Sequence, residues 1–338
     1  MRISAYLSEK IKILSFFLTV LIVVLHSNMS MLSTGVVSFF QLVITTEVTR
    51  IAVPLFYLIS GFLFFVNYKN TWADYKRKLS SRTRSLLVPY ILFLLCGSLA
   101  MFVLGHVYTI EALWKIIKHG LIAYPPVFYP LWFLRDLYIL VLLSPIIYWM
   151  IRKIPWSIIY FFVIWVLGKE FCVGIPSSES MFFFVMGAFL TIKVKWLEQT
   201  EHRGAWGYVY LWLLLCFLNR YISEFVIRLP YATHGVILLL GIYAIWILYD
   251  KLYPIFNESL KTANIYKFSF LIYLLHEPIL TIIKKTGLFF LGCSSFSVGI
   301  IYILAPLMTV YIVYVIGRCL YSYSPKFLSL LTGGRVKN

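Results

Sequence analysis

Seven ionisable side chains stand in stretches apolar enough to lie in lipid: His26, Glu47, Arg50, Arg135, Asp136, His276 and Glu277. A charge in hydrocarbon is costly, so such groups usually face a shared cavity or one another. The chemistry this set can do is proton transfer. A neutral imidazole takes a proton from a hydroxyl near neutral pH, and a nearby carboxylate orients it and stabilises its charged form. Arginine does different work, because its planar fork binds phosphate or pairs a carboxylate without deprotonating. A base beside anion binders points to group transfer, with His26 and Glu47 as the catalytic candidates. The competing reading is structural: Glu47 with Arg50, three apart on one face, and Arg135 with adjacent Asp136 would be ion pairs that lock helices together.

His26 ends an apolar run that starts after Lys10 and Lys12. Ser15 precedes it by eleven positions and Lys12 by fourteen, about three and four helical turns, so the three share one helix face. Fourteen residues rise about 21 Å, which places His26 in the far half of a hydrocarbon core about 30 Å thick. His276, nine residues beyond Lys267, rises about 13 Å and is expected nearer the midplane.

The elements that must position these groups follow from composition. The chain has 338 residues, 61% of them hydrophobic and 13% charged, with a mean hydropathy of +0.88. A water-soluble domain carries nearly twice that charge, so lipid is the solvent for most of the chain. The expected fold is an all-α polytopic membrane protein, one integral-membrane domain over 1–338 with its helical bundle at about 13–320. Apolar runs predict ten spans, near 13–30, 47–66, 86–105, 131–151, 155–170, 179–193, 206–222, 232–250, 265–283 and 297–318. The first has no small-residue cleavage site after it and reads as a retained helix. With both termini in the cytoplasm, the inner segments hold 21 Lys and Arg and the outer ones seven, as the positive-inside rule requires. A short tail, 321–338, then lies in the cytoplasm.

The net charge of +17 belongs to that bias and to contact with anionic lipid rather than to nucleic acid. Cys96, Cys172, Cys216, Cys293 and Cys319 show no CxxC spacing. They read as small core residues, and neither a metal site nor a disulfide framework is expected. Between Tyr108 and Gly120 the spacing of Ile110, Leu113, Trp114, Ile117 and Leu121 predicts a helix lying in the membrane interface, with Glu111 and Lys115 four apart.

Five fragments together resemble the integral-membrane acyltransferase-3 family. They are the His26 helix, Arg50-Ile-Ala-Val-Pro-Leu-Phe-Tyr-Leu-Ile-Ser-Gly-Phe-Leu-Phe64, Arg82-Thr-Arg-Ser-Leu-Leu-Val-Pro-Tyr90, Leu131-Trp-Phe-Leu-Arg-Asp-Leu137, and Ser269-Phe-Leu-Ile-Tyr-Leu-Leu-His-Glu-Pro278. Such proteins move acyl groups from cytoplasmic acyl-CoA to sugars, lipids or glycans through about ten core spans. The resemblance implies that His26 is catalytic. It also implies an Arg before it with ten residues between, where this chain has Ser15; Lys12, one turn earlier on the same face, is the cation that can reach up instead. Many members carry an additional C-terminal hydrolase-like domain. The sequence has none, so transfer is expected to be completed by the membrane domain or a separate partner.

The expected activity is O-acyl transfer, most simply O-acetylation of a cell-surface or lipid-linked glycan at the inner (cytoplasmic) or plasma membrane. The donor would be acetyl-CoA or another acyl-CoA, with no permanently bound cofactor. Arg82 and Arg84 lie among six cations between Lys69 and Arg84 that suit the phosphates of coenzyme A, and Lys12, Ser15, Arg50, Arg135, Asp136, His276 and Glu277 complete the expected substrate-binding set. Two other classes fit the buried charges: a transporter or flippase with a proton or anion pathway, and a glycosyltransferase using a lipid-phosphate sugar. No inverted repeat is visible for the former, and the latter finds only Glu47 as an acid in its first outer loop.

Overall fold

The computed structural model describes residues 3–105, 108–122, 129–154, 156–168, 176–191, 197, 204–227, 231–263 and 265–336. Among them the structure is entirely helical. In chain order the helices are α1 (Ala5–His26), α2 (Gly35–Leu42), α3 (Ala52–Phe65), α4 (Trp72–Arg82), α5 (Val88–Val103), α6 (Ile110–Ile122), α7 (Trp132–Leu142), α8 (Ser144–Lys153), α9 (Ser157–Val166), α10 (Ser178–Leu190), α11 (Ala205–Phe225), α12 (Tyr231–Ala263), α13 (Ser269–Leu291), α14 (Ser295–Tyr323) and α15 (Pro325–Leu331). Two π-helical turns, Val43–Val48 and Thr83–Leu87, join α2 to α3 and α4 to α5.

Helix α1 is buried nearly all round, with Leu7, Lys10, Ile13, Leu14, Leu18, Ile22 and Val23 each under 5% exposed. A helix buried on most of its faces belongs in the middle of a bundle. One side of α1 joins the large core shared by α3, α7, α10 and α12. Through Phe16 and Val23 it also joins a second core built by α13, α14 and α15. Its buried Lys10 is explained by a partner: Nζ lies 2.6 Å from Oδ1 of Asp250 on α12 and 4.2 Å from the Trp246 ring centre. Sequence alone counts Lys10 as a flanking cation of the inner surface. The structure puts it in the core, 0% exposed.

Among the described residues six helices can cross a membrane by length and composition, and seven if the bent pair α7–α8, which turns by 58°, forms one span. The sequence expectation of ten is not reached there: 155–170, 179–193 and 206–222 fall outside this set, the last, as α11, on composition rather than length, the first two for want of length. The stretches 155–170 and 179–193 yield α9 and α10, ten and thirteen residues long, which rise about 15 and 20 Å against the roughly 30 Å a span requires. The break after Leu142 falls where Pro145 opens α8, a residue accepted at a helix start but not in the middle.

Helices α3 and α10 make the closest packing of the bundle. A Cβ added at Gly187 would stand 2.0 Å from the Leu58 carbonyl oxygen and one at Gly61 2.1 Å from that of Phe184. Small residues let helix backbones touch where van der Waals contact is the main attraction, as in lipid. Gly187→Ala is therefore expected to force the helices apart and cost about 1–3 kcal/mol, the usual penalty of overpacking. Thermal unfolding in detergent, followed by the loss of the monodisperse size-exclusion peak, measures it; an unchanged midpoint would mean that the two backbones separate freely.

A helix, α6, forms where the sequence predicts one lying in the interface. Ile110, Trp114 and Leu121 are exposed, and Lys115 pairs with Glu111 at 3.0 Å. The cysteine expectation holds only for Cys216. Cys96, Cys293 and Cys319 are exposed, because an apolar run in such a protein serves the outward face as readily as the core; Cys172 is outside the described residues. The described part of the expected short tail, 321–338, packs on the bundle through α15, with Leu328 wholly buried and Val336 5% exposed.

Candidate active site

His26 is the last residue of α1, and Ser27 closes the helix by donating its N–H to the carbonyls of Val23 and Val24. The His26 carbonyl, left without a helical donor, accepts a 2.8 Å hydrogen bond from Lys284 Nζ. Its imidazole Nδ1 lies 3.6 Å from the Glu277 carboxylate, and its ring centre 5.2 Å from that of His276. Both partners come from α13. Pro278 follows them inside that helix, removing the hydrogen bond that would tie its turn to Leu274. His276 Nδ1 is 2.6 Å from the Tyr273 carbonyl. A carbonyl only accepts, so Nδ1 carries the proton and Nε2 presents a lone pair.

The rings of His26 and His276 thus stand side by side, where residue counts from the nearest cations separate their depths. Those counts fail mainly because a cation on a flexible stem marks a boundary only loosely; the 3-10 turn Ile265–Phe268 that enters α13 adds only about 1 Å to the rise.

Two cavities meet beneath this cluster. A cleft of about 510 Å³ is lined by Lys12, Ser15, Thr19, Ser60, Arg82, Tyr266, Lys267, Ser269 and Arg335 among its polar groups. A smaller pocket of about 80 Å³ is lined by His26, Thr49, Arg50, Trp132 and Glu179. Ile22, Phe133 and Tyr273 wall both, and the Tyr273 hydroxyl is held by donation to the Pro130 carbonyl. The face of α1 that carries Lys12 and Ser15 at one level and His26 at another therefore runs from one cavity to the other. Ser15 itself bonds back to the Ile11 carbonyl at 2.7 Å, as a hydroxyl inside a helix commonly does.

The other sequence candidates are distributed as follows. Arg50 reaches the small pocket. Glu47 does not line it; its carboxylate accepts from Asn219 Nδ2 at 3.0 Å and lies 3.7 Å from His234 Nδ1. The expected pairing of Glu47 with Arg50 is thus replaced by contacts to α11 and α12, because the π-helical turn rotates position 47 relative to 50. The carboxylate at His26 is that of Glu277. Arg135 and Asp136 do pair, with Nε and Nη2 of the arginine 3.0 and 2.8 Å from one carboxylate oxygen. At 6% and 0% exposure they brace α7 rather than line either cavity. Arg82 lines the cleft, whereas Arg84 turns to a separate open groove with Lys76 and Ser80.

Sequence reasoning leaves out Glu179, Lys267, Lys284, Tyr273 and Arg335 as site residues. Glu179 sits in the first turn of α10, and Trp165 Nε1 donates to it at 3.2 Å. Its one sequence signal is a carboxylate at the head of an apolar run. His26, His276 and Glu277 present three donor atoms within 4.8 Å of one another, close enough to share a proton or to surround one cation. The ammonium of Lys284 beside them already supplies positive charge, which favours the proton.

The arrangement offers what base-assisted transfer requires: an imidazole lining a pocket, a carboxylate oxygen 3.6 Å from its Nδ1, and a cation-lined cleft that shares three wall residues with that pocket. The profile of a family described as an acyltransferase domain matches residues 10–330. The chain is also similar to the succinoglycan biosynthesis protein ExoH of Rhizobium meliloti (strain 1021), 25% identical over 324 residues that cover 89% of this chain and 84% of that one. No solved structure matches the chain. With nearly its whole length matched, and with His26, Arg50, Arg135 and His276–Glu277 set in the bundle as described, this chain belongs to the acyltransferase-3 family of integral-membrane proteins.

Proposed function

We propose that the protein is a membrane O-acetyltransferase that carries an acetyl group from cytoplasmic acetyl-CoA to a hydroxyl of a cell-surface or lipid-linked polysaccharide. The observation that carries this reading is the meeting of the cationic cleft and the His26 pocket at Ile22, Phe133 and Tyr273. The cleft, with Lys12, Arg82, Lys267 and Arg335, takes the donor phosphates from the cytoplasmic side, where both termini lie. The pantetheine arm extends along Ser15 and Thr19 toward His26. A saccharide hydroxyl enters the smaller pocket, where Arg50 and Glu179 position it. The similarity to a succinoglycan biosynthesis protein supports a polysaccharide acceptor.

In the reaction His26 Nε2 takes the hydroxyl proton while Nδ1–H faces Glu277. The saccharide oxygen bonds to the thioester carbonyl carbon, the carbon–sulfur bond breaks, and the departing thiolate receives the proton from His26. Glu277 stabilises the transient imidazolium, as an orienting carboxylate does in other nucleophile–histidine systems.

The test is direct. Purified protein in vesicles is given acetyl-CoA labelled in its acetyl group together with an acidic exopolysaccharide of the succinoglycan type or its lipid-linked repeat. Base-labile label in the saccharide is the expected result. Label retained by acetyl-CoA across all acceptors, with labelled saccharide appearing only from another acyl donor, would overturn the acetyl-CoA assignment.

A further inference from the structure

The segment after α14 reaches a site far from it in sequence. Ser329 accepts from the Gly334 N–H at 2.7 Å and Leu328 from that of Thr332 at 3.0 Å, ending α15 in a tight reverse. Gly333 and Gly334 have φ of +61° and +79°, the left-handed region that residues with a Cβ avoid. Gly333 also lies so close to the π-helical turn Thr83–Leu87 that a Cβ there would stand 2.6 Å from Ser85 Cα and 2.7 Å from the Arg84 carbonyl oxygen. This reverse delivers Arg335.

Two features receive it. The Ser85 carbonyl accepts a hydrogen bond from Arg335 Nη1. Pro89, four residues on, has no N–H to offer that carbonyl, so an outside donor takes the place of the missing helical one. The Arg335 guanidinium also stacks on the Phe270 ring, 3.6 Å from its centre. Arg335 is exposed as a whole residue, yet it and Arg82 both line the cationic cleft. Desolvation of the guanidinium, and then repulsion by Arg82, hold Arg335 below the ordinary arginine range.

Like charges held together need a reason. Among the described residues no Asp or Glu lines that cleft, while Lys12, Arg82, Lys267 and Arg335 all do. Two guanidinium groups facing one space without a carboxylate form a site that is completed by an anion with several oxygens, since each fork binds a phosphate through two parallel N–H donors.

We infer that the hook 332–336 is part of the donor site: Arg335, with Arg82, grips the phosphate groups of the acyl carrier, so that a segment distant in sequence decides which thioesters bind. The inference rests on the proposal that acetyl-CoA is the donor, and it assigns Arg335 to binding rather than to the chemical step.

Equilibrium binding of coenzyme A and of pantetheine, which shares its thiol arm but has no phosphates, tests it on purified full-length protein. The native protein is expected to prefer coenzyme A. Arg335→Ala should weaken coenzyme A binding about tenfold to a hundredfold, the usual effect of losing charge-assisted hydrogen bonds, and leave pantetheine unchanged; Arg335→Lys should fall between. Gly333→Val, which blocks docking of the hook without touching the charge, should reproduce the alanine effect. If native protein binds coenzyme A and Arg335→Ala binds it equally well, or if both compounds weaken alike, the inference is overturned and the donor reading stands. If native protein binds neither compound, the donor reading and the inference both fail.

Discussion

Replacement of His26 by glutamine is expected to lower acetyl transfer about 10²–10⁴-fold, the range for loss of a general base, with the yield of folded protein unchanged. Glutamine keeps much of the size and hydrogen-bonding reach of the imidazole but cannot hold a transferred proton. The site tolerates the exchange structurally because His26 is at a helix end and its backbone carbonyl, not its ring, receives Lys284. Initial rates at saturating donor measure the effect. A variant that kept more than about a tenth of the native rate, far above such a loss, would reassign the imidazole to positioning. Glu277→Gln is the companion variant: its carboxylate lies 3.6 Å from His26 Nδ1 and lines neither cavity, so its loss should be smaller and should appear in the rate at saturation rather than in donor affinity.

The largest expected effect on stability is at the opposite end of α1. Lys10→Met leaves the Asp250 carboxylate, 1% exposed, without its ammonium in the core of the bundle, although Tyr6 still donates to it. Breaking a buried pair from one side typically costs about 3–5 kcal/mol, whereas replacing both partners by apolar groups is often neutral. Lys10→Met and Asp250→Leu should each lower the unfolding midpoint strongly, and the double variant should recover most of the loss. Equal losses in the single and double variants would show that Lys10 contributes by packing against Trp246 and not by charge.

Much of the site is legible in the sequence because polar residues in lipid-facing composition are conspicuous. His26, Arg50 and the His276–Glu277 pair announce themselves in that way, and the eleven-residue step from Ser15 to His26 places both on the face that lines the cavities. Pairings across the chain are not legible. Nothing local tells that Lys10 meets Asp250, 240 residues away, or that Glu47 turns to Asn219, 172 residues away. Helix-face arguments also assume one constant period, and the π-helical turns at Val43–Val48 and Thr83–Leu87 break it where Glu47 and Arg84 are read. Arg335 is invisible for another reason. A cation after a Gly-Gly pair has the composition of a solvated tail, and only the unmet Ser85 carbonyl and the close approach of Gly333 bring it back.

The wall shared by the two cavities has a consequence for the cell that hosts the protein. On the proposed reading donor and acceptor approach His26 from opposite ends of α1, a helix about 33 Å long, 22 residues at 1.5 Å each, and Ile22, Phe133 and Tyr273 stand where the two cavities adjoin. Ile22 and Phe133 offer no hydrogen bond to a file of water, and the Tyr273 hydroxyl is already committed to Pro130. On the proposed acyl-transfer route, these three shared side chains offer a hydrated proton or sodium ion little in exchange for its shell. An acyl-transfer path with such a wall is expected to hold back ions while an acetyl group passes, which proton-flux measurements on vesicles holding the purified protein would check.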